Sequence, residues 1–157
     1  MTTIHWTIAV AALAFVQAAP AAAAQSDTEV IIYRFAGVTD NGGADSTGVA
    51  TSFHCSNFSG VDENIRFVTR DFLGILRSNL AVVIGHLNTV TVGTHRTSAY
   101  AETATLATGG VSQGTTAIAA TSINIICTAE TIDASTAVPI GVTRRGIRFN
   151  PVPGSQE

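Results

Sequence analysis

The chain has 157 residues, 46 % of them hydrophobic and only 12 % charged, with a net charge of −3. That length suits one domain, and so weak a charge argues against nucleic acid, whose backbone demands many cationic contacts. All eight basic residues are Arg and none is Lys, and no cluster of them is dense enough to demand a ligand.

The N-terminus carries the strongest signal. Residues 7–19 (TIAVAALAFVQAA) form an apolar run that ends at Pro20, and Ala22 and Ala24 supply the small residues of an A-x-A cleavage site. We therefore expect residues 1–24 to be a cleaved, helical signal peptide, although its first six residues lack Lys and Arg. The run is too short for a membrane anchor, which needs ~20 apolar residues, and no Cys near the cleavage site offers a lipid attachment. Cleavage leaves 133 residues, 157 less 24. In these the longest apolar stretch, 80–84, is far too short to cross a bilayer, and cleanly alternating barrel strands are missing. The expected product is a soluble bacterial protein, periplasmic or secreted.

The mature sequence is rich in Thr, Val, Ile and Ala and is punctuated by Gly, Asn and Asp about every ten positions, a β pattern. A first strand is predicted at 30–38 (VIIYRFAGV), a loop at 39–48 (TDNGGADSTG) and a second strand at 49–57 (VATSFHCSN). After a turn-rich 58–63, residues 64–72 (NIRFVTRDF) alternate, with Ile65 and Phe67 on one face and Arg66 and Arg70 on the other. A hairpin-like turn at Leu73 and Gly74 leads into a strand over 75–84, and 90–94 forms another. Residues 97–107 read as a weak strand and 109–114 as a glycine-rich loop. The best buried strand spans 117–129 (AIAATSINIICTA), with Ile123, Ile125 and Cys127 on one face. Strands at 138–143 and 146–149 complete the set, and 151–157 is a flexible C-terminal tail. No stretch shows a sustained 3.6-residue period after the signal. The predicted fold is all-β: one antiparallel β-sandwich domain of about 7–9 strands over residues 25–150.

Cys55 and Cys127 are the only cysteines, and an exported pair usually bonds. Both fall in predicted strands, so the bond is expected to tie one sheet to the other. The spacing suggests an immunoglobulin domain, but the mature chain has no Trp, and Ile125 stands where that family places a Tyr.

Several motifs suggest chemistry. GVSQG at 110–114 matches a nucleophile elbow, yet no helix is predicted after it and no His follows His95. His54, His86 and His95, with Asp45 or Asp71 as a fourth ligand, form the one candidate metal set, without tight ligand spacing. A blue-copper site is set aside because the mature chain has no Met. DNGGAD at 40–45 offers oxygen ligands but lacks the EF-hand order, and turn chemistry explains it. Arg144, Arg145 and Arg148 are candidate anion ligands, or charges that protect a sheet edge from pairing. Asn57-Phe58-Ser59 is a glycosylation acceptor by pattern alone.

The segments FHCSNFSGVDENIRFVTRDF, SINIICTAETID and GIRFNP resemble those of small exported bacterial proteins of unassigned function. The strand order and the Cys-x-Asn strand end are also similar, in architecture, to the β-sandwich of the sensory rhodopsin transducer family. That resemblance implies a non-enzymatic, oligomeric binding module and carries no site residues. The sequence thus predicts an exported, non-catalytic binding or structural module that needs no cofactor. The first alternative is a metal-binding protein or metalloenzyme using His54, His86 and His95. The second is a homo-oligomer that self-associates through the charge-poor Thr/Ala surface around 94–121.

Overall fold

A computed structural model describes residues 28–42 and 44–148; the expected signal peptide and C-terminal tail lie outside them. The chain is all-β. Sheet one contains β1 (Val30–Asp40), β3 (Glu63–Asp71), β4 (Leu76–Ile84), β7 (Val111–Ala120) and β10 (Gly146–Arg148), in the order β10-β1-β7-β3-β4. Sheet two contains β2 (Val49–Asn57), β5 (Thr89–Gly93), β6 (Ala104–Thr105), β8 (Ile125–Asp133) and β9 (Gly141–Arg144), in the order β6-β5-β2-β8-β9. Every pairing is antiparallel except β5 with β6. The predicted β-sandwich is thus present, with ten strands among the described residues rather than 7–9, because β6 and β10, only two and three residues long, add to the count.

Alternation sends one face of each long strand inward. Phe35 on β1 and Phe67 on β3 point from sheet one, and Phe53 on β2 meets both from sheet two. The ring centroids lie 5.6 Å and 5.9 Å apart. All three rings are fully buried, with Ile65, Ile118, Val92 and Ile125 around them. Burying each ring stabilises the fold by about 1.5–3 kcal/mol. As predicted, Ile65 and Phe67 face this core and Arg66 and Arg70 do not.

β1 has three register breaks against β7, at Ile31/Tyr33, Ala36/Val38 and Val38/Asp40. Gly37 sits within the second at φ 73°, in the left-handed region that glycine enters without a Cβ penalty. These bulges swing the end of β1 across to sheet two, where Thr39 N donates to Thr51 Oγ1 (2.9 Å) and Thr51 Oγ1 donates to Thr39 O (2.9 Å). The bend carries Asp40 to the end of the sandwich.

Four strands end on the same device. Asp40, Asn57, Asp71 and Asp133 close β1, β2, β3 and β8, and each side chain accepts the N–H two residues ahead, at 2.7–2.9 Å. In such Asx turns the side chain itself holds the bend. Asn57 is fully buried and also donates to Val61 O and Ile84 O, so the acceptor pattern at 57–59 holds a turn in the folded chain.

Three expectations need correction. Residues 117–129 are not one strand: β7 and β8 lie in different sheets, joined at 121–124, where Asn124 N donates to Ser122 Oγ (3.1 Å). Ile123 is exposed in that turn instead of sharing the face of Ile125 and Cys127. Two apolar strands joined by a short Thr-Ser turn have no break that hydropathy can register. Conversely, Val111–Gly114 is the start of β7 and not a loop, whereas of 97–107 only Ala104–Thr105 is strand. The disulfide also differs. Cys55 and Cys127 bond, with Cα atoms 4.2 Å apart, but they are directly paired residues of β2 and β8 within sheet two. The bond closes a separation of 72 residues. The double variant Cys55→Ala/Cys127→Ala is expected to lose about 4 kcal/mol of stability, read from urea denaturation.

Candidate functional site

The connection from β5 to β7 (residues 94–110) gathers His54, His95 and Asp40 with Tyr100, Glu102 and Glu130 along its course. It crosses sheet two, with Thr94 N donating to Thr51 O (2.9 Å) and Ser98 N to Ala134 O (2.8 Å). Glu102 braces it from within, accepting both the N–H and the hydroxyl of Thr97 (2.8 and 2.6 Å). Tyr100 thereby stands edge-on to the His54 ring, with centroids 4.7 Å apart, and its hydroxyl donates to Glu130 Oε1.

β2 and β8 set the rest of this cluster. Ser52 pairs with Glu130 and His54 with Thr128, and Ser52 and His54, two residues apart, share a face of the sheet. His54 Nδ1 is 3.0 Å from Thr91 Oγ1, and its Nε2 is 3.6 Å from Glu130 Oε1. A Ser, a His and a Glu side by side are the residue types of a nucleophile, base and acid. The geometry forbids that use. Ser52 is fully buried with no hydrogen-bond partner for its hydroxyl among the described residues, and both nitrogens of His54 are turned to Thr91 and Glu130. The cluster instead fastens the crossing segment to the sheet. Burial, reinforced by the Glu130 carboxylate, pushes the Tyr100 phenol up to about 12.

His95 lies at the end of the sandwich, in the same connection. It is buried, with Nε2 donating to Thr47 O (3.1 Å) and Nδ1 3.1 Å from Asp40 Oδ2. The second contact is out of line for a hydrogen bond. Asp40 also accepts Gly42 N (2.7 Å) and the Thr108 hydroxyl (2.9 Å). One carboxylate thus ties β1, the 41–48 loop and both ends of the 94–110 connection together. His86 is elsewhere, exposed in the β4–β5 turn, with Nδ1 accepting Gly60 N (3.0 Å).

The three candidate histidines therefore have separate partners. Among the described residues no group of three or more His, Cys, Asp or Glu side chains is placed to hold a metal ion. Asp45 is exposed and 3.9 Å from Arg96, while Asp71 belongs to the β3–β4 turn. The three C-terminal arginines line two sheet edges, β9 and β10. Arg144 Nε donates to Thr131 Oγ1 (2.8 Å). Arg148 donates to Ile123 O (2.6 Å) and covers the Tyr33 ring at 5.8 Å, and Arg145 is exposed between the strands. The GVSQG motif enters β7 as extended strand, with Val111 buried and Ser112 exposed. Thr94, Thr97, Thr108 and Thr116, from the Thr/Ala stretch, are buried.

Four of five consecutive residues in the β3–β4 turn, predicted from sequence only as a hairpin-like bend, are exposed large apolar side chains. Phe72, Leu73, Ile75 and Leu76 are 67 %, 69 %, 54 % and 48 % exposed. Gly74 between them sits at φ 79° with open space around it. The turn is held from below. The Asp71 carboxylate, 4 % exposed, accepts Leu73 N (2.9 Å), Ile75 N (3.0 Å) and Arg77 Nε (3.0 Å). Arg70 Nη1 donates to Gly74 O (2.9 Å) from the opposite strand. Burial pushes the Asp71 carboxyl up, but the Ile75 and Leu73 N–H groups and the Arg77 guanidinium outweigh it, leaving the group below its ordinary range. The signal available in sequence was FLGIL itself: four large apolar residues around the glycine of a turn, where polar residues are the rule.

No known protein family, no curated protein and no solved structure matches this chain.

Two outcomes follow from the polar contacts. Between pH about 10, the phenol's ordinary value, and about 12, the folded chain holds a proton on Tyr100 that the unfolded chain has released. Stability therefore falls as pH rises through that window, and Tyr100→Phe removes this part of the fall in a melting series. His95→Leu removes the Nε2 hydrogen bond to Thr47 O and the imidazole that faces the buried Asp40 side chain, and should cost about 1–3 kcal/mol, measured by urea denaturation.

Proposed function

We propose that this chain is an exported, non-catalytic β-sandwich module that acts by binding, with the β3–β4 turn as its contact surface. One observation carries this reading: four large apolar side chains held in water at a turn whose backbone is fixed by five hydrogen bonds. Exposed apolar groups concentrated in this way mark interaction sites. The ionisable clusters support it from the other side, since Asp40, His95, His54 and Glu130 are engaged in holding loops to sheets. The Cys55–Cys127 bond supports export, as do the N-terminal apolar run and its A-x-A site.

The test is made on protein recovered from a bacterium expressing the whole chain. Its native mass should equal that of residues 25–157 less two hydrogens, with no metal. The folded protein should also enhance the fluorescence of anilinonaphthalene sulfonate, and Phe72→Ser/Leu73→Ser should abolish most of that signal at an unchanged melting temperature. A stoichiometric metal lost on His54→Ala or His86→Ala would overturn the proposal and establish a metalloprotein.

A further inference from the structure

The shape and charge of the β3–β4 turn specify its partner more closely. The four side chains project from a two-strand corner, because β4 is an edge strand that pairs, among the described residues, with β3 alone. A convex tip of four residues has too little area for a stable protein pair, which needs roughly 800 Å² on each side. A lipid surface requires no complementary groove. It accepts a projecting apolar tip, and arginines beside the tip lie level with the headgroups while their aliphatic stems follow the chain inward.

The charges are placed for this. Arg70 and Arg77 flank the apolar residues on the two strands, and the one carboxylate between them, Asp71, is buried under the turn and paired with Arg77. The tip therefore presents a net positive charge, two arginines against one aspartate, although the whole chain carries −3. At physiological ionic strength charges beyond about 8 Å are screened, so a membrane senses the local sign. The fixed turn also holds the four side chains outward before contact. Another exposed apolar set, Val138, Ile140 and Val142, leads into β9 and is also held, by Thr136 Oγ1 donating to Val138 O (2.7 Å) and Asp133 N donating to Ile140 O (3.2 Å), but its anchoring carboxylate, Asp133, is exposed at the surface.

Resting on the binding-module reading, we propose that the β3–β4 turn is a membrane-docking tip that inserts Phe72, Leu73, Ile75 and Leu76 into a lipid surface containing anionic headgroups. Arg70 and Arg77 contact those headgroups.

The experiment is cosedimentation of the mature protein with sucrose-loaded vesicles. One set is phosphatidylcholine with phosphatidylglycerol, the other phosphatidylcholine alone. Binding is expected to both, tighter to the anionic set and weakened there by salt. Phe72→Ser and Leu73→Ser should each reduce partitioning about tenfold on both sets, and Ile75→Ser, across Gly74, should act alike. Arg70→Gln should reduce binding about fivefold on the anionic vesicles only. Phe72, Leu73 and Ile75 are exposed, so their variants should melt with wild type. Absence of vesicle binding, or binding indifferent to Phe72→Ser and Leu73→Ser, overturns the membrane assignment. If the anilinonaphthalene sulfonate signal still depends on these residues, the binding-module reading survives that result. Concentration-dependent sedimentation abolished by Leu73→Ser would overturn it in favour of a second copy of the chain.

Discussion

The register of β2 against β8 is the constraint on which the rest of the molecule depends. The two strands pair over nine residues, from Val49 opposite Asp133 to Asn57 opposite Ile125. A slip of one residue would exchange the faces of a whole strand. Phe53 would leave its place between Phe35 and Phe67, and His54 would turn into the core. The disulfide sits inside this ladder at a directly opposed pair, where it fixes the register covalently. A bond between sheets would have fixed their spacing, which the aromatic core already sets. In its actual position it secures something hydrophobic packing specifies less sharply, since β2 also buries Ala50 and Ser52 on the face away from Phe53. With both faces partly buried, the inside/outside contrast that normally selects a register is weakened.

From that register the loops follow by a second rule, that a buried polar group must be bonded. Asp40, Asn57 and Asp71 are buried, and each has its side chain occupied by backbone N–H groups of the loop that follows. The carboxylates act as internal anchors. They order the turns from beneath, leaving the outer surface of each turn free of structural duty. Asp133 repeats the pattern at the surface, where the Ser135 hydroxyl and N–H lower its ionisation below the ordinary range. His95 and Tyr100 extend the same logic to the long 94–110 connection, whose own strand content is two residues. A segment that short of ladder bonds needs side chains to hold it, and Glu102, Tyr100 and His95 do so at three points along it.

How much of this was legible in the sequence varies with the physics involved. β2 is read with its observed limits because its nine residues lie between a glycine-rich loop and a turn, both marked in the sequence. The facing of Ile65 and Phe67 follows from period-two alternation alone. The join between β7 and β8 was invisible because its break consists of Thr121, Ser122 and Asn124 within otherwise apolar sequence, and a hydroxyl-capped turn leaves no hydropathy minimum. Cys55 and Cys127 were legible as a bonded pair but not as neighbours in one sheet, since strand order is a tertiary property. The same limit hid the polar sites. Nothing in the spacing of Asp40 and His95, or of His54, Tyr100 and Glu130, says that they meet. Exposure of the FLGIL turn was hidden too, because four apolar residues around a glycine look the same whether another element covers them or not.

The cost of that turn argues for its use. Each large apolar side chain kept in water forgoes about 1.5–3 kcal/mol of burial, in a fold whose total stability is expected to be about 5–15 kcal/mol. An unconstrained turn with this composition would recover part of that by folding its side chains back on the sheet. Here it is prevented from doing so: Asp71 holds Leu73 N and Ile75 N, Gly74 N donates to Asp71 O, and Asp71 N donates to Ile75 O. A tip ordered in the outward state loses little conformational freedom on meeting a partner, so more of its apolar area is converted to affinity. The arginines at its base guard the same corner in isolation, because charges beside an open edge such as β4 oppose pairing with another sheet. One local arrangement thus reconciles two demands that usually conflict, an apolar surface kept available and an unpaired strand kept from aggregating.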